Sequence, residues 1–417
     1  MENKLKIGLI GLGTVGCGVV KTLCAFPQIE IVKAAVRNLN KKRDVEVRCI
    51  TDDPFEIVND PEIDVVVEVA GGVNPAFDLL KTAIKNKKHI VTANKELLAK
   101  HGAELFDLAN EYNVAILYEA AVAGGIPIIM PIKTTLKGNK FKKVAGILNG
   151  TTNYILTQME EKGISYQECL KEAQELGYAE ADPTGDVEGF DTMYKIATLA
   201  NITFNKRIDV TKIHREGITN ISAQDIKFAD ELGYKIKLIA LAQDNDGQID
   251  VRVHPMLVSK SRVISGINNA LNAVLLEGFP VGQVMFTGPG AGEFPTASSV
   301  VGDILAIDAE FGKCETILPM TRCHHREMAV QTDILDTKNS YYISITAPNA
   351  MGVIGVIGTA CGENKINISS VLQKGTQKDG TAQIIVITEE CSERDIQNAI
   401  EELKKQSIKI NNLIRVM

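Results

Sequence analysis

Along the first 130 residues, short apolar runs alternate with stretches of helical spacing. Lys6–Ile10 is a short apolar strand running into glycines, and Gly13–Cys24 continues as a helix. Ile29–Val36 and Asp64–Val69, the latter reading Asp-Val-Val-Val-Glu-Val, are the next strands. Asn74–Asn86 has helical spacing, His89–Thr92 is a short strand, Lys95–Tyr112 is an amphipathic helix, and Val114–Tyr118 closes the series. Strands that are apolar throughout belong to a parallel sheet covered by helices on both faces. After Pro131 the pattern changes. Phe141–Leu148 reads as a strand, and Thr152–Lys162, Ser165–Leu176 and Gly189–Asn201 read as helices. Glu231–Ala242 and Gln248–Pro255 read as strands, and mixed strands run to about Gly288. Ala297–Gly312 returns to a helical pattern that suits packing back on the first sheet. Thr332–Ser340 is polar and reads as a linker. Beyond it Tyr341–Ala347, Val353–Glu363, Ile366–Gln373, Ala382–Thr388, Glu393–Lys404 and Ile408–Val416 give βαββαβ, the ferredoxin-like order.

The length of 417 residues exceeds one comfortable core and predicts two or three domains. With 45% hydrophobic and 23% charged residues, the composition is that of a soluble globular protein. No segment approaches the apolar length of a membrane span. The start, Met1-Glu2-Asn3-Lys4-Leu5-Lys6, leads directly into the first strand, without the longer apolar stretch of a secretory signal. A cytoplasmic protein with no membrane partner is expected. The net charge of −7 argues against general nucleic-acid binding, which needs a basic footprint. The eight cysteines, at 17, 24, 49, 169, 314, 323, 361 and 391, form no CxxC pair and read as reduced, mostly packed thiols. Cys323-His324-His325 are adjacent, and three chain neighbours rarely converge on one ion.

The first strand passes into Gly11-Leu12-Gly13-Thr14-Val15-Gly16, a GxGxxG between a strand and a helix. Gly11 permits the tight turn, Gly13 lets backbone approach a pyrophosphate, and Gly16 allows close helix–strand packing. The phosphates then meet the N–H groups and positive dipole end of the helix. Such enzymes read cofactor identity at the end of the second strand, where Asp or Glu bonds the ribose of NAD. Here Val36-Arg37-Asn38 stands there, followed by Lys41-Lys42-Arg43. Arg37 suits a 2′-phosphate, so NADP is preferred and NAD stays open; a solvated basic turn gives the same pattern. The fold class expected is α/β. A Rossmann dinucleotide-binding domain occupies 1–133 plus about 297–330, an α+β domain 134–296, and a ferredoxin-like domain 340–417.

The stretch Leu176–Lys195 places Glu180, Asp182, Asp186, Glu188 and Asp191 before one lysine, Lys195, with Gly and Pro shaping an irregular loop that enters a helix. Asp191 and Lys195, four apart, share a helix face, and Ile196, Ala197, Leu199 and Ala200 form an apolar continuation for burial. A lysine fixed among carboxylates suits a proton donor beside a carbonyl. Taken alone, the same run also describes a surface ion-pair cluster.

This segment resembles the homoserine dehydrogenase signature A-x3-G-(Y/F)-x-E-x-D-P-x2-D-x2-G-x-D-x3-K. The resemblance extends to Thr92-Ala93-Asn94-Lys95, Glu119–Pro127, Gly146–Leu156 and Gly288-Pro289-Gly290-Ala291-Gly292, in the family's order, over roughly residues 5–330. It implies interconversion of aspartate semialdehyde and homoserine with NADP or NAD. By resemblance Lys195 is the proton donor, and Lys95 sits between nicotinamide and substrate. Glu180 binds the substrate ammonium, and Asp186 and Asp191 orient the reacting oxygen and the lysine. Gly150, Thr151 and Tyr178 line the amino-acid end. The cofactor is met by Gly11–Gly16, Arg37, Thr92 and Lys95. Gly290 approaches it from the second side, or is a simple loop. The family also holds a monovalent cation, usually sodium, and by position its ligands are Glu119 and the carbonyls of Val122, Gly124 and Ile126. The domain at 134–296 becomes the substrate and dimerisation domain of a homodimer or homotetramer.

Residues 340–417 look like an ACT domain, a module that senses amino-acid end products, in this family often threonine. The entry loop departs from the pattern. Pro348-Asn349-Ala350-Met351-Gly352 has Asn349 for the usual Asp and Met351 for the usual Pro, and Thr388 is followed by Glu389 where His is common. Gln373 fits. A missing carboxylate removes a charge-assisted acceptor for an ammonium, which leaves threonine binding and a purely dimerising role both open.

Overall fold

The computed structural model describes residues 4–310, 322–376 and 380–417. The predicted end of the helix at Gly312, and Cys314, lie outside them. In chain order come β1 (Leu5–Ile10), α1 (Thr14–Leu23), β2 (Ile29–Ala35), β3 (Ile50–Thr51), α2 (Phe55–Asn59), β4 (Val65–Glu68), α3 (Ala76–Lys85), β5 (His89–Thr92), α4 (Lys95–Tyr112) and β6 (Ile116–Leu117). Next follow α5 (Ile129–Lys133), β7 (Lys140–Ile147), α6 (Gly150–Lys162), α7 (Tyr166–Glu175), α8 (Thr184–Val187) and α9 (Phe190–Phe204). Then come β8 (His214–Arg215), α10 (Ala223–Glu231), β9 (Tyr234–Asn245), β10 (Gln248–Ser259), β11 (Leu271–Phe279), β12 (Gly282–Pro289) and α11 (Glu293–Glu310). The C-terminal part holds β13 (Val330–Gln331), β14 (Lys338–Pro348), α12 (Val353–Glu363), β15 (Ile368–Thr376), β16 (Thr381–Thr388), β17 (Cys391–Ser392), α13 (Glu393–Lys405) and β18 (Lys409–Val416).

The chain divides into two compact units. One comprises Met1–Gly150, Asp191–Thr211 and Ala270–Ala329. Its six-stranded sheet is parallel throughout, in the order β3-β2-β1-β4-β5-β6. That is the doubly wound order, with its switch point between β1 and β4. The apolar strands are covered on both faces, and α11 packs on α1 to complete a core that includes Leu5, Leu9, Val19, Leu23, Val300 and Ile304. Helix α4 starts where the Asn94 side chain accepts the Leu97 N–H, and ends at Asn113 in the left-handed conformation. Strands β7, β11 and β12 form an antiparallel set in this unit.

The second unit comprises Thr151–Phe190, Lys212–Asn269 and Val330–Met417. Its C-terminal strands lie antiparallel in the order β18-β14-β16-β15, the ferredoxin-like arrangement, with α12 and α13 burying Ile357, Ala360, Ile396 and Leu403 against Tyr341 and Ile384. Strand β10 pairs with β9 along its whole length. Its opposite edge takes three short parallel partners, β13 at Gln248–Ile249, β8 at Arg252–Val253 and β18 at Met256–Leu257.

Two expectations are corrected here. The polar stretch 332–340 is folded rather than a free linker. Ile334–Asp336 forms a helical turn, β14 already begins at Lys338, and Thr337 and Asn339 are buried where the Arg252 guanidinium donates to them at 3.2 and 2.9 Å. Their polarity serves a buried partner. The strand expected from Glu231 begins instead at Tyr234, because a capping box between Ser222 and Asp225 starts a helix that runs to Glu231.

Candidate active site

At the end of β1 the glycine loop turns with Gly11 at φ +100°. A Cβ on Gly16 would sit 2.1 Å from the Gly11 carbonyl oxygen, so the helix can approach the strand only as glycine. At Gly13 a Cβ would meet nothing within 4 Å, and Gly13 offers no side chain to cap α1. The loop Gly11–Gly13, just before the uncapped start of α1, borders a cleft of about 600 Å³ lined also by Arg37, Lys41, Arg43 and Glu68 among others. This cradle fits a dinucleotide. Arg37 is exposed on its wall, whereas Arg43 is spent on the backbone, donating to the carbonyls of Leu12, Lys41 and Asn38. Glu68 ends β4 fully buried and accepts from the N–H groups of Ala70 and Gly71 and from Thr92 Oγ1 at 2.8 Å. Burial pushes its carboxyl up, against these bonds.

In the same unit α9 presents Asp191 and Lys195 one turn apart. Lys195 Nζ donates to Asp191 Oδ2 and to the Leu148 carbonyl, both at 2.7 Å, and Asn149 Nδ2 reaches the same carboxylate at 2.9 Å. Lys95, the first residue of α4, reaches Asp191 Oδ1 at 2.6 Å. One buried carboxylate thus joins two ammonium groups. Lys195 is buried, while the Lys95 side chain is 43% exposed. Burial alone would raise the Asp191 carboxyl, but Lys195 and then Lys95 outweigh it and hold it well below its ordinary 3.8. A carboxylate depressed in the fold stabilises it above the unfolded value and loses that contribution as pH falls through the folded one. Asp191→Asn is therefore expected to melt lower than the parent at neutral pH, with the gap narrowing below pH 3.8. Thermal melts across that range would check it; a gap that stays constant in acid would reject it.

The Glu119 turn is also built in this unit. Both Glu119 carboxylate oxygens are occupied, Oε1 by the N–H groups of Ile128 and Ile129 and Oε2 by that of Met130, at 2.6–2.8 Å. The side chain caps α5 as a fixed anion. Its own N–H donates to buried Asp303, and the Gly124 carbonyl accepts from Ser299. Gly290 packs directly on this turn, for a Cβ on Gly124 would lie 2.4 Å from its carbonyl oxygen. Of the adjacent Cys323, His324 and His325, the thiol contacts Tyr118 Oη and Lys133 Nζ, while His325 packs edge-on to Phe106. Among the described residues no group of three or more His, Cys, Asp or Glu is placed to hold a metal ion. Five of the seven described cysteines are buried free thiols.

In the second unit Thr151 Oγ1, in the first turn of α6, donates to the Tyr178 carbonyl at 2.6 Å, and the Tyr178 ring packs on Tyr154. Glu180 is exposed on the loop, and Asp186 lies in α8 behind Pro183.

Three family models match the chain. They are described as the homoserine dehydrogenase NAD-binding domain over residues 11–119, homoserine dehydrogenase over 127–305, and the ACT domain over 341–407. The homoserine dehydrogenase of Synechocystis sp. is 43% identical over 99% of both chains. This chain belongs to the homoserine dehydrogenase family. It is an NAD(P)-dependent oxidoreductase. The enzyme of Pseudomonas aeruginosa is 41% identical over 96% of this chain and 95% of its own. A crystal structure of a homoserine dehydrogenase from Thiobacillus denitrificans has a TM-score of 0.94 at 37% identity, covering 99% of this chain and 98% of that one. A hyperthermophilic archaeal homoserine dehydrogenase in complex with NADPH has a TM-score of 0.64 at 26% identity, covering 74% of this chain and 98% of that one.

For a homoserine dehydrogenase, two groups that contact the Asp191–Lys195 pair escape a reading of the signature. Asn149 and the Leu148 carbonyl hold Asp191 and Lys195 from 42 and 47 residues away. Glu68 was legible in principle, since a carboxylate inside an otherwise apolar strand requires a buried partner.

Proposed function

We propose a division of labour for the family's reaction, the reversible reduction of L-aspartate 4-semialdehyde to L-homoserine. The observation that carries it is the Lys95–Asp191–Lys195 bridge. Lys195 gives a proton to the aldehyde oxygen in reduction and takes it back in oxidation. Asp191 keeps that ammonium charged and aimed, and Lys95 places a second positive charge beside the reacting oxygen. Asp186 orients the same oxygen. Glu180 accepts from the substrate ammonium, while Gly150, Thr151 and Tyr178 line the amino-acid end. The nicotinamide, when bound, supplies or accepts the hydride. Gly11–Gly16, Thr92 and Gly290 are assigned to its seat. The domain reading that goes with this is nucleotide binding at 1–133 plus about 297–330, substrate binding and dimerisation at 134–296, and a regulatory module at 340–417.

NADP is preferred over NAD, on the strength of Arg37 at the cleft wall and of NADPH bound in the archaeal relative. Arg37→Ala is expected to weaken NADP more than NAD by about 1–3 kcal/mol, the worth of a charge-assisted phosphate contact. Equal losses in binding titrations with the two cofactors would remove Arg37 from that role. A sodium ion at the Glu119 turn would take Glu119 with the carbonyl oxygens of Val122, Gly124 and Ile126, the carboxylate keeping lone-pair capacity beyond the three N–H groups it already accepts. Among the described residues no helix is long and apolar enough to cross a membrane, and a cytoplasmic homodimer or homotetramer is the assembly this reading favours. Its product would feed threonine, methionine and isoleucine biosynthesis. Threonine is the candidate effector of the C-terminal module, where Gln373 donates to Asn349 at 3.4 Å.

The test is absorbance at the nicotinamide band with pure protein, L-homoserine and NADP or NAD, with and without sodium and threonine. Homoserine-dependent reduction, faster with NADP, is expected. No reduction with either cofactor at alkaline pH with sodium present would overturn the reading.

A further inference from the structure

The segment Tyr178–Gly189, which carries Glu180 and Asp186, is gripped at its end by residues 215–219. The Ile218 N–H donates to the Val187 carbonyl at 2.9 Å, Thr219 Oγ1 donates to Glu188 Oε1 at 3.1 Å, and Arg215 donates to the Glu188 carbonyl. The two backbones touch at Gly217, where a Cβ would lie 2.4 Å from the Val187 carbonyl oxygen and 2.7 Å from Glu188 Cα. The middle of this clamp is Glu216. Its N–H donates to the Val253 carbonyl of β10 at 2.8 Å. Its carboxylate meets His214 Nε2 at 2.6 Å and Arg415 Nη1 at 2.7 Å.

Arg415 belongs to β18, at the far end of the C-terminal module, and its side chain is 2% exposed. Its other two nitrogens grip Glu393, Nε to Oε2 and Nη2 to Oε1, both at 2.8 Å. Glu393 opens α13 and also accepts from Tyr341 Oη at 2.9 Å. A single guanidinium therefore forks between the core of the module and the clamp. Exposed ion pairs hold little, but the Arg415 guanidinium is itself buried, so losing Glu216, whose side chain is 37% exposed, leaves one of its nitrogens short of a charged partner. Burial would raise the Glu216 carboxyl; His214 and Arg415 hold it down at about 2, so the link stays charged at neutral pH.

We propose that Glu216 is a positioning residue for the homoserine end of the site, tying the grip on Val187–Gly189 to Arg415 so that a shift of β18 reaches the loop. This rests on the reading that Glu180 and Asp186 face the substrate. The device needs no ligand-binding carboxylate at Asn349, because it runs through the module's final strand rather than its entry loop.

The test is steady-state homoserine oxidation by the full-length enzyme, each substrate varied in turn, beside thermal melts. Glu216→Gln keeps the shape and removes the charge. It is expected to raise the homoserine KM about tenfold, the worth of one charge-assisted bond, with the NADP KM unchanged. Glu216→Asp should recover part of the loss. Thr219→Val loosens the grip without touching the ion pairs and should move the homoserine KM in the same direction. It also decides the matter if Glu216→Gln does not fold. An unchanged homoserine KM in folded variants overturns the proposal, as does a lowered Tm with both KM values shifted alike, which marks a purely structural link. Glu180→Gln is the control. If it leaves the homoserine KM unmoved, the substrate-loop reading fails; if it raises KM and Glu216→Gln does not, the positioning role alone fails.

Discussion

Lys195→Ala is expected to lower homoserine-dependent turnover by about 10²–10⁴-fold, the range a positioned proton donor contributes, while cofactor affinity stays within about twofold of the parent. The expectation rests on where the ammonium is fixed. Lys195 sits on α9, buried, with the Leu148 carbonyl and Asp191 Oδ2 both at 2.7 Å. A small side chain there leaves the Asp191 carboxylate with Lys95 and Asn149, so the site keeps its anion and a cation. What goes is the particular N–H group, and water rarely replaces a fixed donor in a buried place. The measurement pairs initial rates at saturating substrate with a fluorescence titration of NADPH. Near-normal turnover would remove Lys195 from the reaction, whatever the family resemblance implies.

Gly16→Ala is expected to damage cofactor binding itself. Its Cβ would land 2.1 Å from the Gly11 carbonyl oxygen and 3.1 Å from the Gly11 carbonyl carbon, both backbone atoms that cannot rotate aside. The loop must move, at a cost of about 1–3 kcal/mol if it behaves like other overpacked sites, or about 5–150-fold in affinity if the cost falls on the bound geometry. Gly13→Ala makes the informative comparison. Its Cβ meets nothing within 4 Å, so the fold should melt as before while the pyrophosphate seat is narrowed. The pair separates two effects, a lower Tm with weaker NADPH binding for Gly16→Ala, and weaker binding alone for Gly13→Ala. Parent-like affinity in both would move the dinucleotide elsewhere.

The first sheet was legible because its strands are short, mostly apolar runs set between helical stretches, so periodicity separates them. Strand β3 and helix α2 were not. Two residues of strand and five of helix carry no period, and they are held by pairing with Ala34 and Ala35 of β2 and by burying Ile57 and Val58. Helix α10 is marked in the sequence by the Ser222–Asp225 capping box, while the apolar run behind it reads as strand. Within the site, the Asp191–Lys195 spacing was readable because it is local. Lys95, Asn149 and the Leu148 carbonyl converge on it from far along the chain, and a backbone carbonyl has no letter in the sequence. The same holds for Glu216 and Arg415, 199 residues apart. The polar stretch at 332–340 misled for a related reason. Polarity identifies solvent-facing residues only when no buried guanidinium is waiting for them, and Arg252 is such a partner.

Strand β10 lends its outer edge to three strangers, Val330–Gln331, His214–Arg215 and Arg415–Val416, each pairing over only two residues. Contacts so brief are too weak to persist singly, so they survive by acting together on one rail. The C-terminal module is consequently stitched into the edge of β10 rather than hung beside it on a free hinge. Any lineage that drops it must find another cover for the hydrogen-bonding groups of Met256 and Leu257, or accept an open edge at which chains can stick together.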